Sequence, residues 1–314
     1  MQKLLVITLG GTIALEVNNG RAEPVASSKL LDRLPAKFGT EIELDVENFL
    51  AKDSIDLSFV DLANLAKFIE GVNDQYYGFV ILTGTDTIEE VSYFLHEVFG
   101  RKLNIVITGA MRPPYSPDSD GEGNFQFALS TCAASVPKRF GVVVAMSGCL
   151  ISAINVAKKS AVNLDAFVPI YMNENYSTDN DEETNTDLTQ QILLSNEAYF
   201  ETVNIPIISV SLGTSIYPEI LEDVQGCILS CPGGYSISEH LAQAMAEIAK
   251  KKPIILTSRC LHSGTLPDDI YPGYMKSLER RGFIIEGYTH LSAHQARIKL
   301  MFKQFKTKTL GLND

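Results

Sequence analysis

The sequence predicts an α/β chain: a doubly wound parallel sheet followed by a second, smaller α/β domain. Three observations carry this. Short β-branched runs alternate with helix-patterned stretches from the start of the chain. The runs are almost continuously apolar, as strands covered on both faces must be. A polar, acidic stretch then interrupts the alternation before it resumes. The 314 residues exceed one typical domain of about 150. With 45% hydrophobic and 20% charged residues, 22 Gly and 13 Pro, wholesale disorder and a collagen-like chain are excluded.

The first run, Leu4 to Leu9, meets Gly10-Gly11 at once and has no small-residue cleavage site before them, so it reads as a strand rather than a leader. In Phe59 to Glu70 the residues Leu62, Leu65, Phe68 and Ile69 fall on one helical face. Phe79 to Leu82 is a second strand. Thr87-Ile88-Glu89-Glu90 after it is a Ser/Thr-x-x-Glu pattern that predicts a capping box and a helix start at Thr87. Ile105 to Ile107 and Val142 to Ala145 continue the strands. Met172 to Asp187 reads MNENYSTDNDEETNTD, with little to bury, and is the expected linker. Its acidic residues lack the spacing and glycine of a calcium loop, so it reads as a solvated segment. Beyond it, strands are expected over Ile207 to Leu212, Cys227 to Leu229, Pro253 to Thr257 and Phe283 to Ile285, with helices over Ser238 to Lys250 and Ser292 to Phe305. The expected domains are 1–185, larger and N-terminal, and 205–314, smaller and C-terminal.

The 26 basic against 38 acidic residues leave a formal charge of −12. No broad basic surface exists for a phosphate backbone or anionic lipid, so neither nucleic acid nor a membrane is an expected partner. No window approaches the ~18 uninterrupted apolar residues of a membrane span. Five cysteines, odd in number and mostly inside apolar runs, suit reduced thiols and a cytoplasmic location. Cys227 and Cys231 lack a second ligand pair at zinc-site spacing, so no metal is expected. His96 and His294 have no acid-base partner nearby in sequence and read as surface or satisfied core groups.

Two strand ends carry chemistry. Leu9-Gly10-Gly11-Thr12-Ile13-Ala14 follows the first strand; its glycines permit a sharp turn and Thr12 presents a hydroxyl. Alone it is equally a tight turn, and the longer spacing of a phosphate loop is absent. Thr83-Gly84-Thr85-Asp86-Thr87 also ends a strand and opens a helix, whose free N–H groups and dipole suit a small ligand's carboxylate. Two strand-end threonines from different βα units can face one ligand.

At these residues the chain resembles the bacterial-type L-asparaginases, threonine amidohydrolases that convert asparagine to aspartate and ammonia. The family's T-G-G-T-I element corresponds to Leu9 to Ile13 and its G-T-D-T element to Gly84 to Thr87. Thr108-Gly109-Ala110-Met111-Arg112-Pro113 matches T-G-A-M-R-P, and Asp53-Ser54 resembles the family's carboxylate-holding segment. Lys158 precedes Phe167 by the family's nine residues, and Ile216-Tyr217-Pro218 and Thr257 to Cys260 resemble later landmarks. The resemblance runs along nearly the whole chain.

It implies Thr12 as nucleophile, Thr85 as a second catalytic hydroxyl, Asp86 at the substrate's amino group and Lys158 as the amine of a proton relay. It further implies Ser54 at the substrate α-carboxylate, the Ala110 carbonyl at the scissile amide nitrogen, and no cofactor. Gly11 and Gly84 lie at the ligand, and backbone N–H groups near Gly11 and Thr85 are the expected oxyanion hole. L-asparagine is the implied substrate, with L-glutamine as a second candidate, and a homodimer or homotetramer the implied assembly. Which threonine attacks in each step stays open.

The chain also departs from the pattern. Leu9 stands where the family has threonine, Ile55 where it has a polar partner for the substrate, and Cys231-Pro232-Gly233-Gly234-Tyr235 where it has a Gly/Asn-rich turn. Ala14 to Pro35 contains no tyrosine, the residue the family's lid brings to its nucleophile. Leu9 and Ile55 are expected to make the pocket less polar. These departures leave a second reading open, a catalytically silent binding protein that uses the pocket as an amino-acid sensor. A third, a flavodoxin-like nucleotide binder, has only the Gly-Gly turn behind it.

Overall fold

The computed structural model describes residues 2–18, 21–24, 37–38, 42–170 and 197–310. Spatial contacts divide the chain after Glu197, into Met1–Glu197 and Ala198–Asp314. The acidic stretch expected as a linker lies outside the described residues.

In the first unit, β1 (Gln2–Gly10) is buried from Leu4 onward, because its apolar residues face packed layers on both sides. After a 3-10 turn at Thr12–Ala14 come a hairpin of β2 (Leu15–Asn18) and β3 (Arg21–Pro24), then β4 (Lys37–Phe38) and β5 (Ile42–Lys52). A second 3-10 turn, Ser54–Asp56, leads into α1 (Phe59–Val72), which buries Leu62, Leu65 and Ile69 as their spacing predicts. Then follow β6 (Gly78–Leu82), α2 (Ile88–Phe99), β7 (Ile105–Thr108), α3 (Gly121–Ala133) and α4 (Pro137–Phe140). The unit continues through β8 (Val143–Met146), β9 (Cys149–Ser152), β10 (Val156–Lys158) and β11 (Phe167–Pro169).

The seven-stranded sheet has the order β4-β5-β1-β6-β7-β8-β9. Its five central strands are parallel, and both edges are antiparallel. The chain leaves β1 toward β5 and returns across it to β6. Strand order therefore reverses between β1 and β6, where the strands' carboxyl ends open a crevice suited to a ligand. On one face Leu4, Val6, Val80, Leu82 and Val106 pack with Phe125 and Leu129 of α3.

The second unit takes up α5 (Glu197–Thr202) from its second residue, then β12 (Ile207–Ser209), β13 (Cys227–Cys231), α6 (Glu239–Ala249), β14 (Ile254–Ser258), α7 (Tyr274–Glu279), β15 (Phe283–Ile284) and α8 (Ala293–Leu310). Its four strands are parallel in chain order. Leu229, Tyr235, Leu241, Met245 and Leu256 form its core, and Ser238 caps α6 by accepting from Leu241 N–H. Helix α6 matches its expected span. β12, expected to reach Leu212, stops at Ser209 because Ser211 and Thr214 close a turn through two hydrogen bonds of 2.8 and 3.1 Å. Helix α8 runs beyond the expected Phe305 to Leu310, and α5 carries no clear signal in the sequence.

Candidate active site

The ends of β1 and β6 meet because neither carries a side chain there. A Cβ on Gly11 would lie 2.3 Å from the Gly84 backbone, and one on Gly84 would lie 2.7 Å from the Ser54 Cβ and Oγ. Both glycines are therefore needed to bring three segments into contact: the turn carrying Thr12, the turn carrying Thr85, and Ser54. Thr12 follows at once and is half-buried, whereas Thr85 and Ser54 are nearly enclosed at 7% and 5% exposure.

Lys158 is at the end of β10, only 15% exposed at its side chain. Its Nζ donates to Thr85 Oγ1 at 2.9 Å and to Asp86 Oδ1 at 2.6 Å. The nine-residue spacing to Phe167 has a direct structural cause: the two residues are cross-strand partners in the β10–β11 hairpin. The ammonium lies 6.0 Å from the centre of that ring, at the outer limit of a cation–π contact. Asp86 is 74% exposed and so faces solvent or a ligand while it holds the lysine.

The Ser54 backbone is held from the start of α2. Thr87, expected to cap α2, takes the N-cap position but makes no side-chain cap bond; its hydroxyl donates instead to Ser54 O at 2.8 Å. In the same stretch of chain, Lys52 pairs with both Asp61 oxygens at 2.8 and 2.9 Å, and Asp61 forms a reciprocal capping box with Ser58. Burial pushes the Asp61 carboxyl up, but the hydrogen bonds from Lys52 and Ser58 overcome this and hold it below its ordinary value.

Ala110 lies in the loop after β7, fully enclosed. Its neighbour Gly109 is in close contact with Thr85, since a Cβ there would lie 3.2 Å from the Thr85 methyl and 2.6 Å from Thr83 O. Asp120 and Asn124, which sequence reasoning passed over, tie this loop down. The only trace they leave in the sequence is an acidic residue at a helix start with an amide four positions on.

Three expectations change. The Gly11 N–H donates to Lys52 O at 3.0 Å and is not available to an oxyanion, so Gly11 serves through close approach. Leu9 is 1% exposed in the sheet core rather than lining a pocket. Ile55 stands 73% exposed, so it does not make an enclosed pocket apolar. Among the described residues, no group of three or more His, Cys, Asp or Glu side chains is placed to hold a metal ion, and no helix is long and apolar enough to cross a membrane.

Residues 3–190 match the family described as Asparaginase, N-terminal. The chain is 26% identical over 273 residues to the L-asparaginase of Thermococcus kodakarensis, covering 83% of this chain and 81% of that one. It is 25% identical over 311 residues to the L-asparaginase of Bacillus licheniformis, covering 95% and 94%. Its fold is similar to a crystal structure of a protein described as a probable cytoplasmic L-asparaginase from Campylobacter jejuni. That likeness has a TM-score of 0.79 and 22% identity, and covers 99% of this chain and 100% of the other. With more than half of its length matched, the chain belongs to the asparaginase family and is an L-asparaginase-type amidohydrolase.

Proposed function

We propose that the chain hydrolyses the side-chain amide of L-asparagine to L-aspartate and ammonia through a threonine ester. The observation that carries this is the Lys158 ammonium held between Thr85 Oγ1 at 2.9 Å and Asp86 at 2.6 Å. A hydroxyl is a poor nucleophile at neutral pH and needs an acceptor for its proton within hydrogen-bond reach. The Lys158 amine is within hydrogen-bond reach of Thr85 Oγ1 and exchanges a proton with it. Asp86 orients the amine.

Thr12 Oγ attacks the carboxamide carbon as its proton passes to the Thr85 oxygen and the Thr85 proton to Lys158; the amine returns a proton to the departing nitrogen as the C–N bond breaks and ammonia leaves. Water then adds to the ester, and one of its protons goes to the Thr12 oxygen as that C–O bond breaks and the acid is freed. Ser54 receives the substrate α-carboxylate, Asp86 its amino group, and the Ala110 carbonyl accepts from the departing amide nitrogen. These roles follow the motif resemblance, and the close approaches of Gly11 to Gly84, of Gly84 to Ser54 and of Gly109 to Thr85 support them. L-glutamine is a second substrate of the same site. The working form is a cytoplasmic homodimer or homotetramer.

The test is ammonia release from asparagine by the native chain and by Thr12→Ala, with hydroxylamine added to trap the ester. Turnover that disappears in the variant, with hydroxamate formed only by the native chain, is expected. A second reading, a silent sensor of asparagine, is favoured by the lack of any tyrosine between Ala14 and Pro35. Tight asparagine binding without ammonia release would establish it and overturn the first.

A further inference from the structure

Asp120 holds the N-cap position of α3, where an aspartate normally accepts from its own helix's first N–H groups. It makes no such bond. Its carboxylate turns back to the loop after β7, where Oδ2 accepts from Met111 N–H at 3.1 Å and Oδ1 from Arg112 N–H at 2.8 Å. Asn124, 3% exposed, donates to that same Oδ2 at 2.9 Å and to Gly109 O at 3.0 Å, while its Oδ1 accepts from Ser147 N–H at 2.8 Å. Two successive peptide planes are thereby pinned, one through the Gly109 carbonyl and one through the Met111 N–H.

In a trans peptide the C=O of one residue and the N–H of the next point in opposite directions. Binding the Met111 N–H to Asp120 therefore aims the Ala110 carbonyl away from Asp120. Ala110 is 0% exposed, so solvent does not select that direction, and a substrate amide meets the carbonyl only by displacing what encloses it. The charge-assisted bonds to Asp120 are the stronger kind and resist reorientation. Capping of α3 is forgone for this arrangement.

We propose that Asp120, buttressed by Asn124, is a positioning residue that aims the Ala110 carbonyl at the leaving nitrogen of the amide substrate. This rests on the asparaginase reading above. Asp120 touches no reacting atom. Its effect is specific to substrates with an N–H for the carbonyl to accept, which separates it from a general structural role. L-aspartate β-methyl ester has the same acid portion but a leaving group without that N–H.

The experiment compares kcat/KM for asparagine, read as ammonia, with kcat/KM for the β-methyl ester, read as aspartate formed, in the native chain, Asp120→Ala and Asp120→Asn. A misplacement of about 1 Å costs on the order of 10²-fold. Asp120→Ala is expected to lose about that on the amide and less than about a tenth of it on the ester. Asp120→Asn, which keeps one accepting oxygen, is expected to recover part of the amide rate. Equal losses on the two substrates overturn the proposal while leaving the asparaginase reading intact. If both variants fail to fold, Asp120 serves the fold and the proposal is likewise overturned. A native chain that releases no ammonia from asparagine sinks the asparaginase reading, and this proposal falls with it.

Discussion

Replacing Gly11 with alanine tests whether the meeting of β1 and β6 depends on the absence of side chains. Gly11 has φ 76° and ψ −175°, a region almost reserved to glycine. Holding another residue there costs about 1–3 kcal/mol. The new Cβ would also sit 2.3 Å from the Gly84 N and Cα, where carbon contacts need about 3.5 Å. Both strand ends belong to one hydrogen-bonded sheet, so relief requires backbone movement, at about 1–3 kcal/mol for overpacking. The total is about 2–6 kcal/mol. At ~2–4 °C per kcal/mol for a unit of this size, Tm falls by roughly 5–20 °C. Separating the Thr12 and Thr85 turns by about 1 Å should further cut kcat/KM on the order of 10²-fold. Gly123→Ala is the control: in α3, with no atom within 4 Å of the added Cβ, it should stabilise by about 0.4–1 kcal/mol and leave turnover unchanged. Thermal unfolding followed by circular dichroism and ammonia release measure both variants. A Gly11→Ala chain with native Tm and turnover within twofold of native would refute the close-approach argument.

Lys158→Met should lower kcat by about 10²- to 10⁴-fold, the worth of a positioned proton carrier. Because Asp86 is 74% exposed, stability should move by under about 1 kcal/mol; turnover within threefold of native would count against the relay. Asp61 has a folded value below its unfolded one, so its contribution is fully present above the ordinary carboxylate range and is lost as pH falls through the folded value. Asp61→Ala should therefore cost about 1 kcal/mol near neutrality and flatten the acid limb of urea-unfolding stability below about pH 5; an unchanged limb would contradict this. A thiol reagent should label Cys149 and Cys260 quickly in the native chain. Cys132, Cys227 and Cys231 should react only on unfolding, since burial pushes each thiol up to about 12; fast labelling of a third residue would disprove their enclosure.

Much of the candidate site's placement at strand ends was legible before any coordinates, because its parts are local. A glycine-containing turn after an apolar run marks a strand's carboxyl end, and the switch point of a doubly wound sheet gathers such ends. The Lys158 to Phe167 interval is likewise local, a cross-strand pair written as a spacing. Patterns misled where a side chain had a distant competitor. The residues from Thr87 to Glu90 have the form of a capping box, yet the Thr87 hydroxyl bonds Ser54 O, 33 positions away. Asp120 stands at a helix start and gives its carboxylate to residues 8 and 9 positions earlier. Gly11 belongs to a loop suited to anions, but its N–H meets Lys52 O across the sheet.

Periodicity and turn chemistry in the sequence determined the α/β class, the strand and helix order and the residue types available at each strand end, since these depend on neighbours a few positions apart. The resemblance implied Lys158 paired with Asp86 beside Thr85, and the tertiary structure supplied the 2.6 and 2.9 Å distances; only the tertiary structure decided that Ile55 faces outward and that Asp120 binds the loop carrying Ala110. Each of these depends on which polar groups meet once the strands are stacked. A buried donor or acceptor takes the partner that packing brings within about 3 Å, whatever its nearest neighbour in the chain would offer.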